Sequence, residues 1–532
     1  MRKSLFIVVC IAIISLALQI YKGSVVPPGF NADEAAFGYN AYSLSQTAKD
    51  EYGSFLPVRL KSFGDYKMPL YSYLSVPIIQ IFGLSETSTR ALNSIVAFIL
   101  PFAIFFLAVE LFKKTKIGYL AAFLVSTSLG LHLVGRHTHE AYLTVLLLTL
   151  TMLFLVRSLK KPTILSLFLF IISLALSLNS YQSSRVIAFF MGIFSLGYLL
   201  YKKNGKAVVV TLCIVGGIFF AYDAIHQPPR VKNLLLTSSK GFQLKIDELR
   251  GEGGSQLLYN KLTVGVRDIV QQHLVYFSPQ FLASEGDENA RFGSPDMSPI
   301  TIIEYLFSFI GIYYLFKNKE KWRYLLLFVW ITTPFAGSLS WNGTSLTRSL
   351  FMLIPTLLFS AYGLYYFIQQ FHGKKRLAII GGIAIVQSFF LFYSWDYYFN
   401  HYPKRAATIL SFQAGYRELT DYVKKQYSKT DTFYITKKNG EPYIFFLFYL
   451  KYPPEKYHKQ AKLTGPDEYG FGQVESFDKF QFHFVSPVDK PKSIIVGYPD
   501  DFNGISIPDS QLRKIRVGTQ DIFWIYDPYM NK

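Results

Sequence analysis

The sequence predicts a polytopic α-helical membrane protein with a small mixed α/β domain at its C-terminal end. Three observations carry this reading: recurrent apolar runs of membrane length, a composition poor in charge, and basic residues gathered in short segments between the runs. Of the 532 residues 51% are apolar, 17% are aromatic (49 Phe, 38 Tyr) and only 17% are charged, against about 25% in ordinary soluble domains. That balance excludes a fully soluble chain, a disordered one and a disulfide-built scaffold.

Eleven stretches are long and apolar enough to cross the hydrocarbon core, which takes roughly 17 to 25 residues of helix. They lie near 4–20, 91–112, 117–135, 141–157, 163–179, 186–201, 207–222, 300–316, 324–341, 348–370 and 377–395. Six short segments, at 2–3, 113–116, 157–161, 202–206, 317–323 and 374–376, alternate with them and hold eighteen basic residues against one acid, Glu320. They carry +17 of the formal +19. Short basic loops stay in the cytoplasm, so the expectation is a multi-pass protein of the plasma (cytoplasmic) membrane, its N-terminus inside and its C-terminal domain outside. The basic excess is then a topology signal, and no nucleic-acid partner is expected. No small-x-small cleavage site follows Met1 to Ile20, so the first helix is expected to stay uncleaved. The two cysteines, Cys10 and Cys213, both fall in expected spans, which leaves none for an outer disulfide.

The expected organisation is a membrane module, 1–395, and an outward α/β domain, 396–532. Within the module, residues 21–90 form a first long outer loop. Its run Asn31-Ala-Asp-Glu-Ala-Ala-Phe-Gly-Tyr-Asn-Ala-Tyr, followed through Leu44, has near-helical apolar spacing but is too short and polar to span. Together with Leu70 to Phe82 it reads as interfacial helices; the alternative is a pair of loop helices packed on the bundle. A second long outer loop, 223–299, mixes helix-like stretches with a glycine turn (Gly251, Gly253, Gly254) and the polar run 286–291. In the tail, Thr432 to Thr436, Gln481 to Val485, Ser493 to Gly497, Lys514 to Val517 and Ile522 to Tyr526 alternate like strands, Gln413 to Gln426 reads as helix, and Tyr443 to Tyr449 is apolar but far too short to span.

Chemistry is suggested first by Asp33-Glu34, two acids just past the outer end of the first span. A carboxylate at the water–hydrocarbon boundary can act as a general base towards a hydroxyl; equally, Asp ahead of an Ala-rich helix can cap its free N–H groups. Lys67, Arg90, Arg136, Arg185 and Arg348 all stand at outer ends of spans or in the first outer loop. Cations there suit a phosphate, or lipid headgroups and loop acids. In Arg136-His-Thr-His-Glu140, His137 and Glu140 are three apart and with Asp33 offer oxygen and nitrogen ligands; a divalent metal and a hydrogen-bonded polar cluster are both open, the spacing matching no strong metal signature. Asn342-Gly-Thr344 is a glycosylation sequon.

The order of a first span, Asp33-Glu34, Tyr66-Lys67-Met68-Pro69-Leu70-Tyr71 and Ser88-Thr89-Arg90-Ala91-Leu92 resembles the membrane glycosyltransferases of the GT-C fold. The nearest group is glycosyltransferase family 39, the protein O-mannosyltransferases and aminoarabinose lipid A transferases. Specific motifs cover about the first 200 residues; beyond them the resemblance rests on span count and the tail. It implies an inverting transfer of a hexose or pentose from a polyprenyl-phosphate donor to a hydroxyl on a lipid, glycan or protein, with no cofactor. It places the catalytic acid at Asp33, completed by Glu34, and the donor-phosphate cations at Lys67 and Arg90. Glu140 matches a second-loop acid and, with His137, has a supporting place. Arg185 and Arg348, at outer ends of spans, are further supporting candidates, though they and Arg291 match no motif securely. In some members an acid stands directly before the lysine; here Tyr66 does, with Asp65 one residue further away, which weakens any role carried to Asp65. The competing class is a transporter or flippase of lipid-linked saccharides. It calls for paired broken helices with polar groups at mid-membrane, and the sequence shows no convincing pair.

Overall fold

Helices form where the chain is apolar and free of breakers, and ten of the eleven expected spans coincide with helices in the structure, a computed structural model that describes residues 2–202, 235–341, 343–466 and 472–530. The remaining expected span, 207–222 with Cys213, and Asn342 of the sequon lie outside the described residues. In chain order come α1 (Arg2–Ile20), α2 (Ala32–Thr47), α3 (Leu70–Phe82), α4 (Glu86–Phe112), α5 (Thr115–Thr127), α6 (Leu129–Gly135), α7 (Glu140–Lys160), α8 (Ile164–Leu178) and α9 (Gln182–Tyr201). Later long helices are Ile302–Lys317, Arg323–Thr332, Leu353–Ile368 and Gly373–Asp396. Among the described residues α4, α7, α9, Leu346–Ile368 and Gly373–Lys404 are each long and apolar enough to cross a membrane. The protein is a multi-pass membrane protein.

Two expected spans are interrupted: 324–341 divides at Thr333-Pro334 into Arg323–Thr332 and Phe335–Ser338, proline ending the first helix, and 117–135 is bent. Residues 117–135 fold as α5 and α6, bent by 51°. The break has a local cause: Ser128 Oγ and the Gly130 N–H both donate to the Pro299 carbonyl, at 3.1 and 2.9 Å. A Cβ on Gly130 would lie 2.7 Å from the Pro299 Cα, so only glycine lets that loop reach the helix axis.

The chain forms two compact units. The first comprises 1–21, 93–135 and 140–398. Three of the basic segments meet in this unit: Glu110 accepts from Lys113 at 3.2 Å and Lys160 at 2.8 Å, while the Lys160 and Lys321 ammonium groups stand over the Trp322 ring. Helices Ile302–Lys317 and Leu353–Ile368 pack backbone to backbone through Gly311 and Gly363, as small residues allow when lipid supplies no hydrophobic drive. A Cβ on Gly311 would fall 1.9 Å from the Phe359 carbonyl oxygen. Gly311→Ala is therefore expected to destabilise by about 1–3 kcal/mol, read as a lowered midpoint of thermal unfolding in detergent.

The second unit comprises 22–92, 136–139 and the chain from 399 onward. Its seven-stranded sheet has the order β4-β5-β6-β3-β7-β9-β8, with β3 (Phe433–Ile435), β4 (Lys462–Pro466), β5 (Gly472–Phe477), β6 (Phe480–Gln481), β7 (Ile494–Gly497), β8 (Leu512–Val517) and β9 (Gln520–Tyr526). β3 runs parallel to β6 and β7, and the outer pairs are antiparallel. The expected strand Gln481 to Val485 shrinks to Phe480–Gln481: a turn with Asp478 at positive φ starts it early, and Phe482 N–H already bonds to Glu475 O. The strands β4 and β5 were not foreseen. Helix Pro442–Tyr449 opens on proline, whose fixed φ suits a first turn, and is apolar on every side, which requires burial on every side. Its residues from Pro442 to Phe448 are all buried. Tyr416 stacks on Phe445 with centroids 3.9 Å apart.

This core also takes α2, whose residues from Glu34 to Ala41 are buried, and Phe30, Ala35, Ala36 and Tyr39 belong to the same cluster as Phe445 and Phe446. The first expected interfacial helix is thus a core helix of the second unit, its aromatic face covered by protein. α3 differs: Leu74, Ile81 and Phe82 remain exposed.

Candidate active site

The site is built at the first turn of α2. Asn31 is its N-cap and its side chain accepts the Glu34 N–H at 3.1 Å, while the Glu34 carboxylate takes the Asn31 N–H at 3.4 Å. This reciprocal capping satisfies two of the helix's free donors. Gln413 supplies a third partner, its Oε1 accepting from the Ala32 N–H at 2.8 Å. Capping bonds are thus made by Asn31, Glu34 and Gln413.

Glu34 is wholly buried, with a side-chain exposure of 0%. Its carboxylate receives Arg90 through two parallel bonds, Nε at 2.7 Å and Nη2 at 2.8 Å, and the Thr138 N–H at 2.7 Å. Arg90 also donates to the carbonyls of Gly29 (2.8 Å) and Gly23 (3.3 Å) and lies over the Phe30 ring. Such a forked, fully hydrogen-bonded pair holds its geometry firmly. It pins the loop before α2 to the first turn of α4 and to the segment 136–139. Arg136 adds to the same loop by donating to the Val26 carbonyl at 3.0 Å.

Asp33 turns the other way. Its Oδ1 accepts from Lys67 Nζ at 2.7 Å, with side-chain exposures of 42% for Asp33 and 11% for Lys67. Lys67 is delivered by a hairpin of β1 (Leu60–Ser62) and β2 (Asp65–Lys67), paired antiparallel with Leu60 opposite Lys67. Its ammonium stands 4.8 Å from the Phe37 centroid and 4.9 Å from that of Phe63; two ring faces fix where the charge points. Phe37 lies one turn beyond Asp33, so α2 presents both the acid and a wall of the lysine's seat.

The other candidates divide between the units. His137 is buried in the second unit, edge-on to Phe412 at 5.5 Å. Glu140 opens α7 in the first unit, Arg185 lies in the first turn of α9, and Arg348 donates to Ser340 Oγ near Asp287, which accepts the Leu346 N–H at 2.6 Å. Arg291 is also in the first unit, and Asp65 begins β2. Among the described residues no group of three or more His, Cys, Asp and Glu is placed to hold a metal ion, so the Asp33, His137 and Glu140 set does not form one. Sequence reasoning missed Asn31, Gln413, Glu51 and Tyr443. Only the first carried a local signal, Asn-x-x-Glu ahead of a helix.

Comparison with known proteins adds three findings. The family of dolichyl-phosphate-mannose-protein mannosyltransferases matches residues 66–222. No curated protein matches the chain. Among solved structures, ArnT from Cupriavidus metallidurans in the apo state is similar at 9% identity and a TM-score of 0.52, covering 99% of this chain and 98% of that one; the same protein bound to undecaprenyl phosphate is similar at 11% and 0.51, covering 98% and 97%. The oligosaccharyltransferase from Archaeoglobus fulgidus is similar at 14% identity with a TM-score of 0.48, covering 83% of this chain; the chain spans 61% of its length. End-to-end coverage of ArnT gives the chain the GT-C fold.

Proposed function

We propose that this GT-C protein is an inverting glycosyltransferase that moves a sugar from a polyprenyl-phosphate donor to an acceptor hydroxyl at the outer face of the membrane. One observation carries the reading: a half-exposed carboxylate, Asp33, and an aromatic-caged ammonium, Lys67, share a 2.7 Å contact at the positive end of a helix. The carboxylate half of this pair is open to solvent, which screens and weakens the attraction. A donor phosphate with good geometry can therefore take Lys67 from Asp33, and donor binding hands Asp33 its role as base.

The chemistry follows. Asp33 takes the proton of the acceptor hydroxyl, whose oxygen bonds to the anomeric carbon from the face opposite the phosphate. The carbon–oxygen bond to the phosphate breaks, its electron pair leaves with the polyprenyl phosphate, and Lys67 offsets the charge gathered there. One well-aimed donor of this kind is worth about 3 kcal/mol. Glu34 and Arg90 satisfy each other, so their part is to hold Asp33 in place, and donor-phosphate binding falls to Lys67. His137 belongs to the same segment as Thr138, whose N–H donates to Glu34. Glu140, Arg185 and Arg348 carry no step. The family match at 66–222 and the undecaprenyl phosphate bound by ArnT support the donor class. The alternation of short basic segments with the apolar spans along the sequence supports an inside position for those segments and an outside one for the C-terminal domain. For a flippase, broken helices are the feature to seek; the α5–α6 bend is explained by its seat on Pro299.

Full-length protein incubated with undecaprenyl-phosphate-linked hexoses and pentoses tests this. Transfer of one of them, with the anomeric configuration inverted in the product by NMR, is expected; retention of configuration, or release of sugar with no acceptor product, contradicts it.

A further inference from the structure

Glu51 takes no part in that chemistry, yet it is only 1% exposed and is linked through Asn40 to the hairpin that carries Lys67. Its Oε2 accepts Asn40 Nδ2 at 2.8 Å, its Oε1 accepts the Tyr443 hydroxyl at 2.8 Å, and its own N–H donates to Asn40 Oδ1 at 3.0 Å. Asn40 also donates to Ser62 Oγ in β1 at 3.3 Å, and the Tyr52 hydroxyl accepts the Gly64 N–H at the hairpin turn at 3.4 Å. Asn40 stands two turns beyond Asp33 on α2. One buried carboxyl thus ties together the helix bearing Asp33, the hairpin bearing Lys67 and the helix Pro442–Tyr449.

We infer that Glu51 is a positioning residue for Lys67, and that its ionisation sets how firmly that lysine holds a lipid phosphate; this rests on the donor site proposed above. The groups facing it are Asp50 and Tyr52 on its own turn, Lys67 on the hairpin, Tyr39 and Asn40 on α2, and Tyr443 and Tyr457 from the C-terminal helices. Burial pushes the Glu51 carboxyl up to about 8, with Asp50 adding to the rise and Tyr443, Lys67 and Asn40 opposing it. Below that pH the group is neutral, and the charge of Lys67 is available to a phosphate. Above it a carboxylate appears within electrostatic reach of Lys67, draws on the ammonium and repels the incoming anion.

The test is binding of undecaprenyl phosphate to the full chain in detergent between pH 6 and 9.5, with donor KM and kcat measured alongside. For the unaltered protein Kd and donor KM are expected to rise about tenfold across pH 8, as one added charge near the lysine demands. Glu51→Gln keeps a bond to each partner and stays neutral. It should bind at pH 7 and show no rise in Kd or donor KM between pH 7 and pH 9. Tyr443→Phe removes a hydroxyl that pulls the carboxyl down, so its rise should move to higher pH. A rise that persists in Glu51→Gln, or loss of binding by that variant at pH 7, overturns the inference. Failure of every variant to bind undecaprenyl phosphate at any pH overturns the donor site itself, a distinct outcome.

Discussion

Asp33→Asn should lower transfer by about 10²–10⁴, the range a positioned general base supplies, while leaving folding and donor binding intact. The reason lies in the geometry. Asp33 is half-exposed and pairs with Lys67, whereas the capping bonds of α2 belong to Asn31, Glu34 and Gln413. Asparagine has the same shape and can still accept from Lys67, so the hairpin keeps its place. Only the ability to take a proton is lost. The check is a single-turnover assay at saturating donor, read beside the thermal midpoint. A variant that transfers at the normal rate removes Asp33 as the base.

The neighbouring acid should behave in the opposite manner. Arg90→Ala leaves Glu34 charged, wholly buried and held by Thr138 and Asn31 N–H groups alone. Breaking a buried pair by removing one partner costs about 3–5 kcal/mol, and here the Gly23 and Gly29 carbonyls lose their donor as well. We expect a protein of strongly lowered thermal midpoint whose residual folded fraction still binds undecaprenyl phosphate. Glu34→Gln should recover part of the loss, since a neutral amide needs no counter-charge. An Arg90→Ala protein of normal stability that fails to bind lipid phosphate would instead return Arg90 to the donor site.

These two acids show how far the sequence reaches. Asp33 and Lys67 stand 34 residues apart in the segment between the first two expected spans, and a charged side chain next to an apolar span is conspicuous in sequence. The sequence leaves capping and catalysis both open for Asp33; in the structure the reciprocal capping bond is made by the third helical position, Glu34, whose side chain can reach back to the cap. Other partners come from far along the chain. Gln413 is 381 residues from Ala32, and Tyr443 is 392 from Glu51, distances over which residue pattern is silent. The same holds for α2, whose apolar face suits a lipid surface or an aromatic core equally well. The spans were legible because membrane burial demands long apolar runs; the α5–α6 break was not, since it depends on where Pro299 docks.

The most direct measurement is native mass spectrometry of the full-length protein with undecaprenyl phosphate, comparing the unaltered chain with Lys67→Met and Asp33→Asn. Methionine keeps a linear side chain between Phe37 and Phe63 but brings no charge. If Lys67 holds the lipid phosphate in exchange for Asp33, the unaltered chain retains one lipid, Lys67→Met retains roughly a hundredfold less, as loss of about 3 kcal/mol implies, and Asp33→Asn retains at least as much as the unaltered chain. Equal retention by Lys67→Met and the unaltered protein contradicts that exchange.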